Sequence, residues 1–267
     1  MEDKIKTLNK WISESKRIVF FGGAGVSTES GIPDFRSVDG LYSLKYDVPP
    51  ETMLSRTYFN AHPEKFFRFY RDKMLCPDAM PNAAHRVLAA LEEAGKLSAV
   101  ITQNIDGLHQ KAGSKNVLEL HGSTLRNYCM RCSKFYSADD VTERMETSGN
   151  ENPHGVAAGS NSGDKSATAA GDGIPRCECG GIIKPDVVLY EESLDERTLE
   201  ASIRQIAEAD MLIVGGTSLV VYPAAGLIRY YSGSRLVLIN LSPTAYDSKA
   251  NLVINERIGD VFGQIEI

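Results

Sequence analysis

Arg17-Ile18-Val19-Phe20-Phe21 runs straight into Gly22-Gly23-Ala24-Gly25-Val26-Ser27. The first half is a short apolar run of β-formers, the kind that fills a strand buried on both faces of a parallel sheet. The second half is a turn whose glycines let the backbone bend tightly and come close to a pyrophosphate. A helix expected after it would offer its N-terminal N–H groups and the positive end of its dipole. Gly23 and Gly25 begin a G-x-G-x-x-G fingerprint, but Thr28 stands at the third glycine position. No second strand ends in an acidic residue about twenty positions on, as the hydride-transferring version requires for its ribose. The lysine of a Walker loop is also absent. Taken by themselves, these glycines fit a ligand-free turn as well as a nucleotide loop.

Outward from this turn, comparable strands are predicted at 98–102, 117–120, 211–214 and 235–240, with helical patterns at 3–15, 83–94, 196–209 and 223–231. Such alternation predicts an α/β fold: a Rossmann-like, mostly parallel sheet with helices on both faces. Two stretches interrupt it. Residues 37–80 carry an aromatic helical pattern (Phe59, Phe66, Phe67, Phe69, Tyr70), and residues 125–181 carry four of the five cysteines. The expected domains are therefore 1–36, 81–124 and 182–267 for nucleotide binding, 37–80 as a helical module and 125–181 as a metal module. Within the last, 147–173 is rich in Gly, Ser, Ala and Asn and has no aromatic residue, which predicts a disordered loop.

Composition narrows the function. A net charge of −6 argues against a phosphate-gripping nucleic-acid surface and suits encounter with a basic peptide. The charged N-terminus is unlike a secretory signal, and no apolar run approaches the ~20 residues of a membrane span. Without an export signal, the pairs Cys129-Met130-Arg131-Cys132 and Cys177-Glu178-Cys179 read as ligands of a tetrahedral structural Zn²⁺ rather than disulfides. A reducing, cytoplasmic compartment follows, and a monomer is expected. The second pair has one intervening residue where a regular knuckle has two. Cys76 has no partner in the pattern.

Two strand ends are loaded with polar residues. Thr102 leads into Gln103-Asn104-Ile105-Asp106-Gly107-Leu108-His109, and the strand at 117–120 ends in His121-Gly122. Ligands in open α/β sheets sit outside the carboxyl ends of strands, and a histidine there is able to take a proton from a sugar hydroxyl. Downstream of the glycine turn, Gly31 and Pro33 in Gly31-Ile32-Pro33-Asp34-Phe35-Arg36 send the chain back, bringing Phe35 to cover a ring or acyl chain and Arg36 to pair with a phosphate.

In family order and over nearly the whole chain, these segments, with Gly216-Thr217-Ser218-Leu219, resemble the sirtuins, the NAD-dependent protein lysine deacylases. The resemblance implies NAD as a consumed co-substrate and acyl-lysine proteins or peptides as partners. It implies NAD-binding roles for Gly23, Ala24, Gly25, Ile32, Asp34, Phe35, Arg36, Gln103, Asn104, Ile105 and Asp106, with Asn104 also catalytic and His121 the general base. Gly216, Thr217, Ser218, Asn240, Leu241, Asp260 and Val261 would serve the phosphate, ribose and adenosine end. Phe35, Val187, Val188, Leu189 and Tyr190 would meet the substrate, with Val187, Val188 and Leu189 as a strand pairing with its backbone. The products implied are nicotinamide, free lysine and O-acyl-ADP-ribose. Two departures bear on selectivity. Members favouring acidic acyl groups carry Tyr-x-x-Arg, and the matching stretch here is Tyr70-Arg71-Asp72-Lys73, which predicts preference for acetyl and other neutral acyl groups. Glu191 stands where the family usually has glycine, which predicts a less mobile loop at the peptide's edge.

Overall fold

The computed structural model describes residues 1–35, 40, 48–149 and 172–267. Its strands are β1 (Ile18–Gly22), β2 (Leu97–Thr102), β3 (Val117–Glu119), β4 (Gly122–Cys129), β5 (Phe135–Ser137), β6 (Ile183–Val187), β7 (Met211–Gly215), β8 (Leu236–Ile239) and β9 (Leu252–Ile254). The chain forms two compact units, one of 1–47, 76–123 and 193–267, the other of 48–75 and 124–192.

The larger unit holds a six-stranded sheet in the order β3-β2-β1-β7-β8-β9, every pair parallel. All five residues of β1 and of β7 are buried, as a strand covered on both faces demands. The two-residue period divides β1 between two cores. Ile18 and Phe20 pack with Ile5, Leu8 and Ile12 of the helix Glu2–Glu14, with Leu88 and Leu91 of the helix Ala83–Glu93, and with Phe262. Val19 and Phe21 pack with Ile206, Leu227 and Ile228 on the opposite face. Chain order runs outward from β1 to β3, then resumes on the other side of β1 at β7. The C-terminal ends of β1 and β7 therefore flank a topological switch point, where α/β sheets open a ligand crevice.

The smaller unit holds the sheet β5-β4-β6, with β4 and β5 antiparallel. It also holds the short helices Pro50–Met53, Arg56–Ala61 and Pro63–Phe69, a π-turn at Tyr70–Met74 and the helix Ala138–Gly149. The aromatic pattern is its core: Phe59 meets Phe66 edge-on at 4.8 Å between ring centroids, and Phe66 stacks on Tyr70 at 5.9 Å.

Several expectations change. β1 is followed by two single 3-10 turns, Ala24–Val26 and Thr28–Ser30, and not by an α-helix. Gly31, in the left-handed region at φ 83°, closes the second turn, and Pro33 removes a donor two residues on. The segment at 223–231 is likewise 3-10, over Ala224–Tyr230. β9, with only three residues, adds an edge strand that the sequence pattern does not predict. β6 belongs to the small sheet, so 182–192 joins the cysteine-bearing segment rather than the nucleotide domain. Of the disordered loop expected over 147–173, residues 147–149 belong instead to the helix Ala138–Gly149; residues 150–171, with most of that expectation, lie outside the described residues. Among the described residues no helix is long and apolar enough to cross a membrane.

Candidate active site

The glycine turn after β1 packs against the loop after β7. Gly23 N–H donates to the Gly215 carbonyl at 3.2 Å and Gly25 N–H to that of Gly216 at 2.8 Å. A Cβ on Gly25 would lie 2.8 Å from Gly216 Cα, and one on Gly216, itself at φ 60°, would lie 2.4 Å from Val26 N. A Cβ on Gly23 would meet Thr217 Cβ at 2.7 Å. These glycines are fixed by backbone-to-backbone packing at the switch point, independently of any bound phosphate.

The end of β2 reaches into the same turn. Ser27, 1% exposed, donates its hydroxyl to Asp106 Oδ2 at 2.7 Å and accepts from Asn104 Nδ2 at 3.0 Å. Asp106 Oδ1 accepts from Leu108 N–H at 2.9 Å, and Asn104 N–H donates to Thr102 Oγ1 at 3.0 Å. Asn104 and Asp106 thus meet on one hydroxyl, and a main-chain N–H holds the second Asp106 oxygen. Gln103 N–H donates to the Gly22 carbonyl at 3.0 Å, and its side-chain amide donates to Thr217 Oγ1 at 3.2 Å. Gln103 therefore ties three strand ends together.

His121 follows β3. Its Nδ1 lies 3.1 Å from the Gln103 carbonyl oxygen. A carbonyl only accepts, so Nδ1 carries the proton and Nε2 has the lone pair. Burial pushes the His121 pKa below the ordinary histidine value, and the bond to Gln103 opposes that only in part. The ring is neutral at physiological pH and only partly buried, the state a general base needs.

Of the remaining expected residues in this unit, Ala24, Ile32, Asp34, Phe35 and Ile105 are half-buried around the turn and the end of β2. Arg36 lies outside the described residues. Ser218 is exposed, Asn240 is half-buried after β8, and Leu241 is 63% exposed. Asp260 is exposed, whereas the Val261 side chain, 1% exposed, belongs to the core and offers a ligand no side-chain surface. His109 is structural: its buried ring packs against Phe20 at 6.1 Å and His85 at 4.7 Å between centroids. Ser27 and Asn82 are the residues that motif reading passed over. Ser27 stood inside the quoted motif, but nothing in one sequence says that it would meet Asp106.

In the smaller unit, the expected peptide-pairing strand is shorter than anticipated. β6 ends at Val187, and Tyr190 forms an isolated parallel bridge with Ser55. Tyr190 N–H donates to the Leu54 carbonyl and its own carbonyl accepts from Arg56 N–H, both at 3.0 Å. Leu189 N–H donates to Glu192 Oε2 at 2.8 Å, and the Val187 carbonyl accepts from Lys184 Nζ at 2.8 Å. Val188 lies just past the end of β6, between these two engaged groups. Glu191 sits at φ 77°, a region that favours glycine, and its carboxylate accepts from Thr57 N–H at 2.9 Å and Thr57 Oγ1 at 2.7 Å. Those two bonds tie the Glu191 side chain to Thr57 at the start of the helix Arg56–Ala61. Tyr70 is buried in the aromatic core and Lys73 is exposed.

The four cysteines converge. Cys129 and Cys179 sulfurs lie 3.5 Å apart, those of Cys132 and Cys177 3.6 Å apart, and all four ligand atoms lie within 4.8 Å of one another. Tetrahedral Zn²⁺ with Zn–S bonds of about 2.3 Å needs sulfurs about 3.8 Å apart, so the set fits. The one-residue spacing of the second pair is accommodated by a tight turn: Gly180, at φ 82°, donates its N–H to the Cys177 carbonyl at 2.8 Å, and Cys177 N–H donates to that of Gly181 at 2.8 Å. A Cβ on Gly181 would lie 2.8 Å from Cys129 Sγ, so the cradle admits only glycine.

Residues 23–223 match the model of the Sir2 family. The chain is 58% identical over 262 residues to an NAD-dependent protein deacetylase of Clostridium acetobutylicum, covering 97% of this chain and 96% of that one. It is 54% identical to the Clostridium perfringens protein of the same description, covering 99% of each. Among solved structures it resembles a Sir2 with a deacetylated p53 peptide and 3′-O-acetyl-ADP-ribose, at TM-score 0.82 and 38% identity over 97% of this chain and 96% of that one. A Sir2 with p53 peptide and NAD⁺ matches at TM-score 0.79 and 39% identity, with the same coverage. A parallel sheet in Rossmann order, a four-cysteine cluster and full-length relatives above half identical all agree: this chain belongs to the Sir2 family.

Proposed function

We propose that the chain removes acetyl and other neutral acyl groups from protein lysine side chains, consuming NAD. The observation that carries this is the pairing of a neutral His121, protonated at Nδ1 by its bond to Gln103, with the Ser27–Asn104–Asp106 cluster beside a Rossmann switch point. In the reaction, the acyl oxygen displaces nicotinamide at C1′ of the ribose and the acyl group passes to a ribose hydroxyl. One water is consumed, and lysine and O-acyl-ADP-ribose are left. An amide oxygen is a feeble nucleophile, so orientation must supply much of the acceleration, for which about 7–11 kcal/mol is attainable. Asn104 and Asp106, immobilised on Ser27, are the groups able to orient the nicotinamide riboside. His121 Nε2 accepts the proton of the attacking hydroxyl. The Gly23–Gly25 turn and Gly216-Thr217-Ser218 would hold the phosphates and ribose, with Asn240, Leu241, Asp260 and the main chain of Val261 at the adenosine end.

Val188 is the residue best placed to add a peptide strand, because its neighbours' main-chain groups are already engaged. Exposed Lys73 supplies no planar fork for a carboxylate, which supports the preference for neutral acyl groups. Incubating a panel of acyl-lysine peptides with NAD, while reading nicotinamide and O-acyl-ADP-ribose together, tests the proposal. Acetyl peptides should yield both products in equal amounts and outpace succinyl peptides. Nicotinamide released without O-acyl-ADP-ribose, or faster desuccinylation, would overturn it.

A further inference from the structure

Asn82 precedes the helix Ala83–Glu93 as its cap, with Oδ1 accepting from Ala84 N–H at 3.0 Å. Serine or aspartate caps a helix about as well. What an asparagine adds is its amide NH₂, and neither proton goes to the helix. Nδ2 donates to the Val26 carbonyl at 2.7 Å and to Ser30 Oγ at 3.0 Å, while the Asn82 main-chain N–H donates to His85 Nδ1 at 3.3 Å. The Val26 carbonyl accepts no backbone N–H among the described residues, so the Asn82 amide is what satisfies it. Val26 and Ser30 bracket Ser27, the hydroxyl on which Asn104 and Asp106 meet.

We infer that Asn82 is a positioning residue for NAD: its amide grips both sides of the Ser27 turn and thereby sets the nicotinamide-riboside groups. The inference rests on the NAD-dependent reading above. Asn82 itself need not touch substrate.

The test compares wild type with Asn82→Asp and Asn82→Ser, both of which keep a capping oxygen. Melting temperature, directly titrated NAD affinity, and KM values for NAD and for an acetyl-lysine peptide are measured on the full chain. Asn82→Asp loses both donors and turns a carboxylate towards the Val26 carbonyl. NAD affinity should fall about tenfold in both variants while the peptide KM stays within about twofold. For Asn82→Asp, kcat/KM for NAD relative to wild type should rise as pH drops from 8 to 6, because the protonated carboxyl regains a donor. Asn82→Ser should show no such trend. Unchanged NAD affinity in the folded variants would overturn the inference, as would equal worsening of NAD and peptide constants. So would failure of both cap-competent variants to fold, since the amide would then be holding the fold and not the turn. A wild type that binds NAD yet makes no O-acetyl-ADP-ribose sinks the deacylase reading alone and leaves the affinity comparison standing; one that does not bind NAD overturns both.

Discussion

His121 Nδ1 lies 3.1 Å from the carbonyl oxygen of Gln103, and that bond decides which ring nitrogen is basic. Burial lowers the His121 pKa, so the ring stays neutral below the usual histidine range. The acid limb of kcat/KM, if set by this base, therefore falls at a pH below about 6.5, where an ordinary histidine titrates. His121→Ala should lower turnover by about 10²–10⁴-fold. Turnover close to wild type in that variant would remove His121 from the mechanism.

Ser27→Ala deletes the hydroxyl that Asn104 and Asp106 share. Leaving a buried donor and a carboxylate oxygen unpaired costs about 1–3 kcal/mol. Because the loss falls on groups assigned to NAD, kcat/KM for NAD should drop roughly tenfold to a hundredfold. Steady-state kinetics with NAD varied at saturating acetyl peptide would show it. An unaltered NAD dependence would mean that the cluster is only structural.

Gly181→Ala tests the cysteine cradle. The new methyl would sit 2.8 Å from Cys129 Sγ and 2.8 Å from Arg131 Cβ, so the turn must shift and spread the sulfurs. The variant should lose zinc to a chelator faster than wild type and melt lower, and Cys177→Ser should do the same more severely. Metal analysis alongside thermal melts is the measurement. Full zinc retention with an unchanged melting temperature would refute the tight fit.

Two buried histidines link stability to pH between about 5 and 7. Burial, with a smaller push from His85, drives His109 down to about 3; burial likewise lowers His85 to about 4. Both are neutral in the folded chain and protonate near 6.5 once unfolded. The unfolded state therefore binds more protons below pH 6.5. Stability is complete above that value and declines as pH falls towards the folded pKa values, by about 1.4 kcal/mol per pH unit for each ring. Denaturant unfolding at pH 7, 6 and 5 should reveal this slope, and His109→Gln should flatten it. A wild-type stability independent of pH across that range would contradict it.

Much of this was legible in the sequence because strand signals are local. β1, β2, β7 and β8 are apolar runs with definite ends, and the two cysteine pairs announce a shared ligand. β9, with three residues, is too short to stand out. The sequence predicts a helix where the 3-10 turns follow β1, because a glycine turn after a buried strand usually leads into one. Bonds between distant segments were invisible: Ser27 to Asp106 spans 79 positions, and Asn82 to Val26 spans 56. Val261 shows the opposite error, since a position carried over by resemblance proved to have its side chain in the core. Val187 to Leu189 reads as a continuous strand, but β6 ends at Val187, and Lys184 and Glu192 take up the Val187 carbonyl and the Leu189 N–H on either side of Val188.

The seam between Gly25 and Gly216 also bears on how mutational screens of this protein should be interpreted. Alanine at Gly23, Gly25 or Gly216 would abolish activity by wedging two neighbouring strand ends apart, whether or not that backbone ever touches a phosphate. A loss-of-function map would colour all three as ligand contacts. Only a variant's melting curve, set beside its NAD titration, would separate a broken hinge of the scaffold from a missing handhold for the nucleotide.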